Sequence, residues 1–550
     1  MTLCDENQSL KRTLLLLSVI VLWSLASAQA QGAETAVADT TSPFGINAWV
    51  ASRFYTEAQR EHAMQLLRAA GAAWTREEFC WACMEWSPQA SEHVYHWQLD
   101  DWFDFDNLTR LSREQPINIL GLLDYGPGAD VRTGRTYRRQ SCPSDANAAP
   151  IDAWLPAWRE FVGAVVARYH ERIKTWEVQN EPTSLCFWRK VDLSATQPSA
   201  ADYVTVLRAA SEVIRQTDPE ARVVLGGLSP EVNTSGVDYF QFLAQVHEAG
   251  GWPDFDIVAL HPYRTPFAPE DVLSRSRFDV ESLQMESSGH RYSLQDELEA
   301  FQRLIARWGA KPIWLTEIGW ASNSLQERAQ QRGTLAEVVQ ADYLIRSTVQ
   351  ALAAGVQVVM WYDLREDAVP SPEESSFGLI RRDFSPKPAY DAFGSMAHAL
   401  AGSQFQGQAL LAESDAYEYR FVNGSQRVLV LWYAPEQDGP RTIHVEHVNA
   451  ERARLIGPEL GPYTPGAGTI VTPVNGTLDL RLSERPVFVL YDEDSFESEP
   501  PVAGPNRASA RSVESAPTEN ALGLENACGL ALAPLLLAAC GVVLARRRTL

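Results

Sequence analysis

The stretches TWEVQNEP (Thr175–Pro182) and PIWLTEIGW (Pro312–Trp320) decide how this chain folds. Each opens on an alternating or wholly apolar run that reads as a buried strand. Each then delivers one glutamate just past the run, Glu181 in Asn180-Glu181-Pro182 and Glu317 in Thr316-Glu317-Ile318-Gly319. In a parallel barrel the C-terminal ends of different strands converge on one mouth, so two such glutamates would meet there.

Outward from these two strings, strand and helix patterns alternate. The strand-like runs are Phe44–Val50, AWTREEFCW, Ile117–Asp124, KTWEVQN, Arg222–Leu228, Phe255–Tyr263, PIWLTE and Val356–Asp363. Helical periodicity separates them over Glu57–Ala70, stopping at Gly71, then Asp101–Glu114, Ala153–His170, Ala201–Gln216, Val237–Glu248, Leu294–Trp308 and Leu335–Ala353. This repetition predicts an α/β fold, a (β/α)8 TIM barrel over residues 43–400. From about Gly402 the texture changes to short alternating runs split by Gly, Pro and Asn, such as YEYRFVNG, RVLVLWYA and RPVFVLYD. That pattern predicts a small β-sandwich over residues 402–492 with no catalytic residues of its own.

Composition narrows the partners. With 550 residues and 45% hydrophobic content the chain can fill more than one core. A formal charge of -23 excludes nucleic acid as a natural partner, because phosphate binding needs a basic face. Seventeen Trp and seventeen Tyr suit a carbohydrate, whose apolar C–H faces pack on aromatic rings, although most such rings fill cores. Oligomeric state is not legible.

The ends read as targeting segments. Lys11-Arg12, the apolar run Leu14–Leu25 and small residues up to Ala30 form a secretory signal over residues 1–30. Residues 495–525 are too poor in apolar side chains to pack and read as a disordered acidic, Ser- and Pro-rich linker. Residues 527–545 form an apolar segment of membrane-spanning length followed by the basic tail 546–550, an arrangement that predicts a secreted or surface protein tethered to a membrane and that resembles bacterial sorting tails. Of seven cysteines, Cys80, Cys83, Cys142 and Cys186 fall in the folded part, and an even number in an exported chain predicts two disulfides in any of three pairings. A Cys80-x-x-Cys83 zinc or redox motif is disfavoured because no second ligand pair lies at compact spacing. Sequons occur at Asn107, Asn233, Asn423 and Asn475.

Two carboxyls at one mouth are the minimum apparatus for cleaving a glycosidic bond. Retaining enzymes set them about 5 Å apart, one attacking the anomeric carbon and one protonating the departing oxygen, and inverting enzymes use a wider gap for a water. Asn180-Glu181-Pro182 after the fourth strand and Glu317 after the seventh resemble the acid/base and nucleophile motifs of clan A glycoside hydrolases, closest to families thirty-nine and five. The resemblance covers residues 43–400, and the appended β-domain is similar to that of families thirty-nine, thirty and fifty-one.

The resemblance implies a retaining double displacement with Glu317 as nucleophile and Glu181 as acid/base, needing no metal or organic cofactor. It also implies that Asn180 bonds a sugar 2-hydroxyl, that Tyr263 of HPY orients the nucleophile with His261 beside it, and that Arg76 supports the nucleophile. Trp361 would floor the sugar subsite, with a cis bond to Tyr362. For Arg76 a surface pair with Glu77 or Glu78 is the plain alternative, and for His261 a bonded core histidine. Asp124 and Tyr125 read as a loop opening, Trp81 and Trp320 as stacking or packing residues, and Glu177 as an interior ion-pair partner. A catalytically inactive carbohydrate-binding surface protein and a transglycosylase are the competing functions. Sugar and linkage specificity sit in the loops Gly126–Pro150 and Arg264–Tyr292, which match no pattern.

Overall fold

A computed structural model describes residues 40–492 apart from 53–54, 86–93, 100–102, 125–128, 131–134, 137–150, 189–196, 231–235, 367–371, 373, 436–438 and 458–467. The expected signal segment, linker and C-terminal apolar segment lie outside the described residues, as do Tyr125 and Cys142. Among the described residues no helix is long and apolar enough to cross a membrane.

Eight parallel strands form one sheet: β1 (Phe44–Asn47), β2 (Trp74–Cys80), β3 (Asn118–Asp124), β4 (Thr175–Val178), β5 (Arg222–Leu225), β6 (Val258–Leu260), β7 (Ile313–Ile318) and β8 (Val358–Tyr362). Their order is β6-β7-β8-β1-β2-β3-β4-β5, and the bridges Val224 to Ile257 and Leu228 to Leu260 join the two ends into a barrel. Helices α1 (Glu57–Ala69), α2 (Phe105–Glu114), α3 (Ile151–Tyr169), α4 (Ala200–Thr217), α5 (Tyr239–Glu248), α6 (Leu294–Ala306), α7 (Ala336–Ala353) and α8 (Pro388–Ala399) follow the strands in turn.

Local chemistry sets these boundaries. Thr56 and Gln59 form a capping box at the start of α1, and Ser293 with Asp296 forms another at α6. Asp104, Ser199 and Asp238 cap α2, α4 and α5 through side-chain oxygens.

The barrel interior is layered. Trp74, Leu120, Val224, Ile257, Ala259, Trp314, Val358 and Met360 fill the lower part as one apolar plug, with Trp74 edge-on to Trp314 at 4.8 Å. The alternate residues of the same strands, such as Phe44, Ile46, Leu315, Val359 and Trp361, face the helices. Above the plug the inward positions turn polar.

The C-terminal region holds β9 (Gln404–Ala409), β10 (Ala416–Asn423), β11 (Gln426–Tyr433), β12 (Arg441–Val445), β13 (Ala453–Ile456), β14 (Thr469–Val471), β15 (Leu478–Leu482) and β16 (Val487–Asp492). A six-stranded antiparallel sheet β9-β10-β11-β16-β13-β14 faces the pair β12-β15. Both faces of β11 are buried: Val428, Val430 and Trp432 join the barrel's core, and Leu429, Leu431 and Tyr433 join the sandwich core. That double burial explains why RVLVLWY is continuously apolar rather than alternating. Charges seal the seam, with Arg328 and Arg332 each 3.4 Å from Glu484 and Arg485 3.5 Å from Asp342.

Candidate active site

The polar layer is built on Arg76, an inward residue of β2 that is wholly buried. Its Nε donates to Glu177 at 2.7 Å, Nη1 to Glu317 at 2.5 Å, and Nη2 to Glu177 at 3.1 Å and Asn180 at 2.8 Å. The surface alternative for Arg76 is therefore wrong. Burial opposes its charge, but the Glu177 and Glu317 carboxylates override this and hold its pKa above the ordinary value. Glu177, inward on β4, is the interior ion-pair partner and also accepts from the Gly227 backbone N–H at 2.9 Å.

Glu317 reaches this layer through a slip in the sheet. On β7, Trp314 points into the plug and Leu315 towards the helices, so strict alternation would send Thr316 in and Glu317 out. The β7–β8 pairing instead shifts by one residue between Leu315 and Ile318, and both Thr316 and Glu317 make inward contacts. Besides the Arg76 contact, Glu317 Oε2 accepts from the Tyr263 hydroxyl at 2.8 Å. Burial, reinforced by the neighbouring Glu317 carboxylate, pushes the Tyr263 pKa well above its usual value, so this phenol stays a donor.

Glu181 follows β4 on a strained turn, with left-handed φ of 65° at Gln179 and 43° at Glu181. His261, fully buried after β6, stands between the two carboxyls, its Nδ1 3.0 Å from Glu181 and 3.7 Å from Glu317. Its other nitrogen lies 2.9 Å from Thr316 Oγ1, which sits 3.3 Å from Glu177. A Cβ on Gly227 would fall 2.0 Å from His261 Nε2, so only glycine leaves room for the ring.

This chain of contacts fits one tautomer of His261. Glu177, bidentate on Arg76, only accepts, so Thr316 gives its hydroxyl hydrogen to Glu177 and accepts from His261 Nε2–H. Burial lowers the His261 pKa and keeps the ring neutral, leaving Nδ1 as a bare lone pair. In this tautomer Nδ1 faces Glu181 as an acceptor. Glu317 accepts from a guanidinium and a phenol. One atom each of Glu181, His261 and Glu317 lies within 4.8 Å of the others, which brings the carboxyls together and would also suit a divalent cation. Asp279, Glu286 and His290 form a second set of that spacing away from the barrel interior, on the hairpin Leu273–Asp279 and Gln284–Tyr292.

The structure does not bring Trp361 to the mouth. Trp361 faces outward: it is 2% exposed and stacks on Trp320, both rings lying in the core beneath the helices. Tyr362, paired with the inward Asn47 of β1, faces the mouth instead and meets Tyr263 edge-on at 6.3 Å. The cis bond likewise falls one residue later than expected, between Tyr362 and Asp363. The cause is register, since a shift of one residue exchanges the two faces of a strand. Trp81 packs against Trp154, Trp158 and Phe161, and Trp320 donates to the Phe267 carbonyl at 2.8 Å, so both are packing residues. Asp124 is buried close enough to Arg76 to favour its charge.

Thr316, Asn47 and Gly227 also went unread. Asn47 donates to the carbonyls of Thr316 at 2.9 Å and Trp361 at 3.4 Å, tying β1 to β7 and β8. The double glycine in VVLGGL was the legible hint of close approach. Cys80 and Cys83 are disulfide-bonded to each other; the bond belongs to the turn after β2. The loop Arg264–Tyr292 contains the hairpin, which Arg275 pins to Glu297 at 2.9 Å.

No protein-family model matches the chain, and no curated protein is similar to it in sequence. Among solved structures, the chain is similar to a family 39 glycoside hydrolase from Bacteroides cellulosilyticus WH2, with TM-score 0.59, 21% identity, and 81% of this chain and 80% of the other covered. It is also similar to a monomeric beta-xylosidase from Caulobacter crescentus CB15, at TM-score 0.52 and 17% identity over 83% and 97% of the two chains. A GH30 endoxylanase from Clostridium papyrosolvens C71 gives TM-score 0.52 and 11% identity over 83% and 98%. These likenesses establish the shared architecture, a barrel with its appended β-domain.

Proposed function

We propose that the protein is a retaining glycoside hydrolase acting on an oligo- or polysaccharide by double displacement. The observation that carries this reading is the pairing of Glu181 and Glu317 around His261, with one atom of each of the three residues within 4.8 Å of the others, because so close a pairing falls on the short, retaining side of the two carboxyl geometries. Glu317, held by Arg76 and Tyr263, attacks the anomeric carbon. Glu181, beside His261, protonates the departing oxygen and then deprotonates the water that resolves the glycosyl-enzyme. Asn180, which accepts from Arg76 at 2.8 Å, bonds the sugar's 2-hydroxyl in this scheme. The glycosidases and xylanase of similar fold favour this reading over a non-hydrolytic surface protein, as does the complete network around both carboxyls. The Cys80–Cys83 disulfide and the signal-like N-terminal segment support export, with tethering through residues 527–545.

Activated 2-fluoro glycosides of several configurations test the assignment. One of them should inactivate the protein and leave its mass on the peptide containing Glu317. Labelling of any other carboxyl, or hydrolysis of aryl glycosides undiminished in Glu317→Ala, would refute it.

A further inference from the structure

Left-handed backbone at non-glycine residues occurs at two strand ends around the mouth: Gln179 and Glu181 after β4, and Trp49 after β1 with φ 53°. The first two belong to the turn that aims Glu181. Trp49 plays no part in the scheme above, yet its conformation is unusual for so bulky a side chain and persists only where its surroundings impose it.

Here they do. Buried Glu77 accepts the backbone N–H groups of Val50 and Ala51, each at 3.0 Å. Ser52 N–H donates to the Trp49 carbonyl at 2.9 Å, and buried Arg60 donates to the Val50 carbonyl at 3.1 Å. Two buried ionisable residues, Glu77 and Arg60, thus hold the turn that carries this indole. The ring packs with Ala321, Tyr362, Phe377 and Tyr263, whose hydroxyl holds Glu317, and it meets Tyr362 edge-on at 6.5 Å.

The indole N–H is buried and has no hydrogen-bond partner. Unmade buried donors are costly and uncommon, and phenylalanine would fill the same apolar cluster without one. Indoles deep in the core, Trp176 and Trp314 among them, also lack partners, but none of those sits on a left-handed backbone in the cluster that includes Tyr263.

We propose that Trp49 is a substrate-binding residue whose N–H is reserved for a hydroxyl of the sugar ring lying over Glu317, so that the site selects a glycoside bearing a free hydroxyl at that position. The inference rests on the glycosidase reading. Its test is Trp49→Phe, which keeps a ring and deletes the donor, assayed on an aryl glycoside and its set of monodeoxy analogues.

The parent glycoside should lose about tenfold or more in kcat/KM. One deoxy analogue should lose a similar factor in the wild type and suffer no further loss in Trp49→Phe. Phe377→Leu, which disturbs the same cluster without touching a donor, should lower rates on all analogues alike. Equal deoxy penalties in wild type and Trp49→Phe, or undiminished kcat/KM in Trp49→Phe, would overturn the proposal. Calorimetric binding of the same glycosides to Glu317→Gln, with and without Trp49→Phe, separates the two readings. A wild type that binds but never hydrolyses sinks the glycosidase, while a selective loss of binding in Trp49→Phe still upholds the contact. Sugar binding that ignores residue 49 sinks the contact alone, and binding of no glycoside at all sinks both.

Discussion

The two halves of the barrel interior are built on opposite terms. Below Arg76, side chains alternate without interruption and fill the space with apolar volume, Trp74 against Trp314 and Gly45 opposite Met360. Above it, the same strands carry a register slip in β7, left-handed residues after β1 and β4, and a buried cluster of Arg76, Glu177, Glu317 and His261. Stability resides in the first arrangement. The second holds groups in orientations that isolated chain segments would not adopt, and it persists because the first is rigid.

If that division is right, substitutions in the two halves should fail differently. Glu317→Ala should show the largest effect, lowering turnover by about four orders of magnitude or more while leaving the protein folded. Substantial residual turnover, with thermal unfolding unchanged, would dissolve the distinction. Arg76→Met should damage both properties: Glu177 and Glu317 would be left as uncompensated buried carboxylates, costing about 3–5 kcal/mol by denaturant unfolding, and activity should vanish in the folded fraction. Trp314→Ala should cost a comparable amount, about 3–5 kcal/mol through the cavity it opens, yet leave kcat per folded molecule nearly unaltered. Gly227→Ala sits on the boundary. Its Cβ would displace His261, so activity should fall by about a hundredfold with a small change in melting temperature; a large stability loss with normal kcat would place His261 in the structural half.

Legibility in the sequence followed the same line. Regular alternation gave the eight strands and seven of the helices to within a few residues, because period 2 and period 3.6 are strong signals where packing alone sets the pattern. It failed where function bends the rule. Alternation alone would have turned Glu317 outward, and only its motif marked it as a site residue. At β8 the one-residue register error put Trp361 where Tyr362 belongs. Trp49 was invisible because nothing in Asn47-Ala48-Trp49 announces a left-handed turn, which is imposed from a distance by Glu77 and Arg60. The hairpin after β6 escaped because its strands are polar and largely exposed, so burial leaves no periodic mark.

The smallest effect concerns pH. Burial raises the Glu77 pKa to about 7 from an ordinary 4.5, despite the hydrogen bonds it accepts. The folded protein therefore holds this proton more tightly than the unfolded chain, and the associated stability is complete below pH 4.5 and lost as pH rises to about 7. The change is of order 3 kcal/mol for a fully buried group. Unfolding midpoints of Glu77→Gln should vary less over that window than those of the wild type, and parallel curves would remove Glu77 as the cause.

The pairing of the two mouth carboxyls is tested most directly by proton NMR of the first sugar released from a substrate of defined anomeric configuration. Retention of that configuration, seen before mutarotation sets in, is the expected result. Appearance of the opposite anomer first would mean that Glu181 and Glu317 do not work as nucleophile and proton donor on a shared ring.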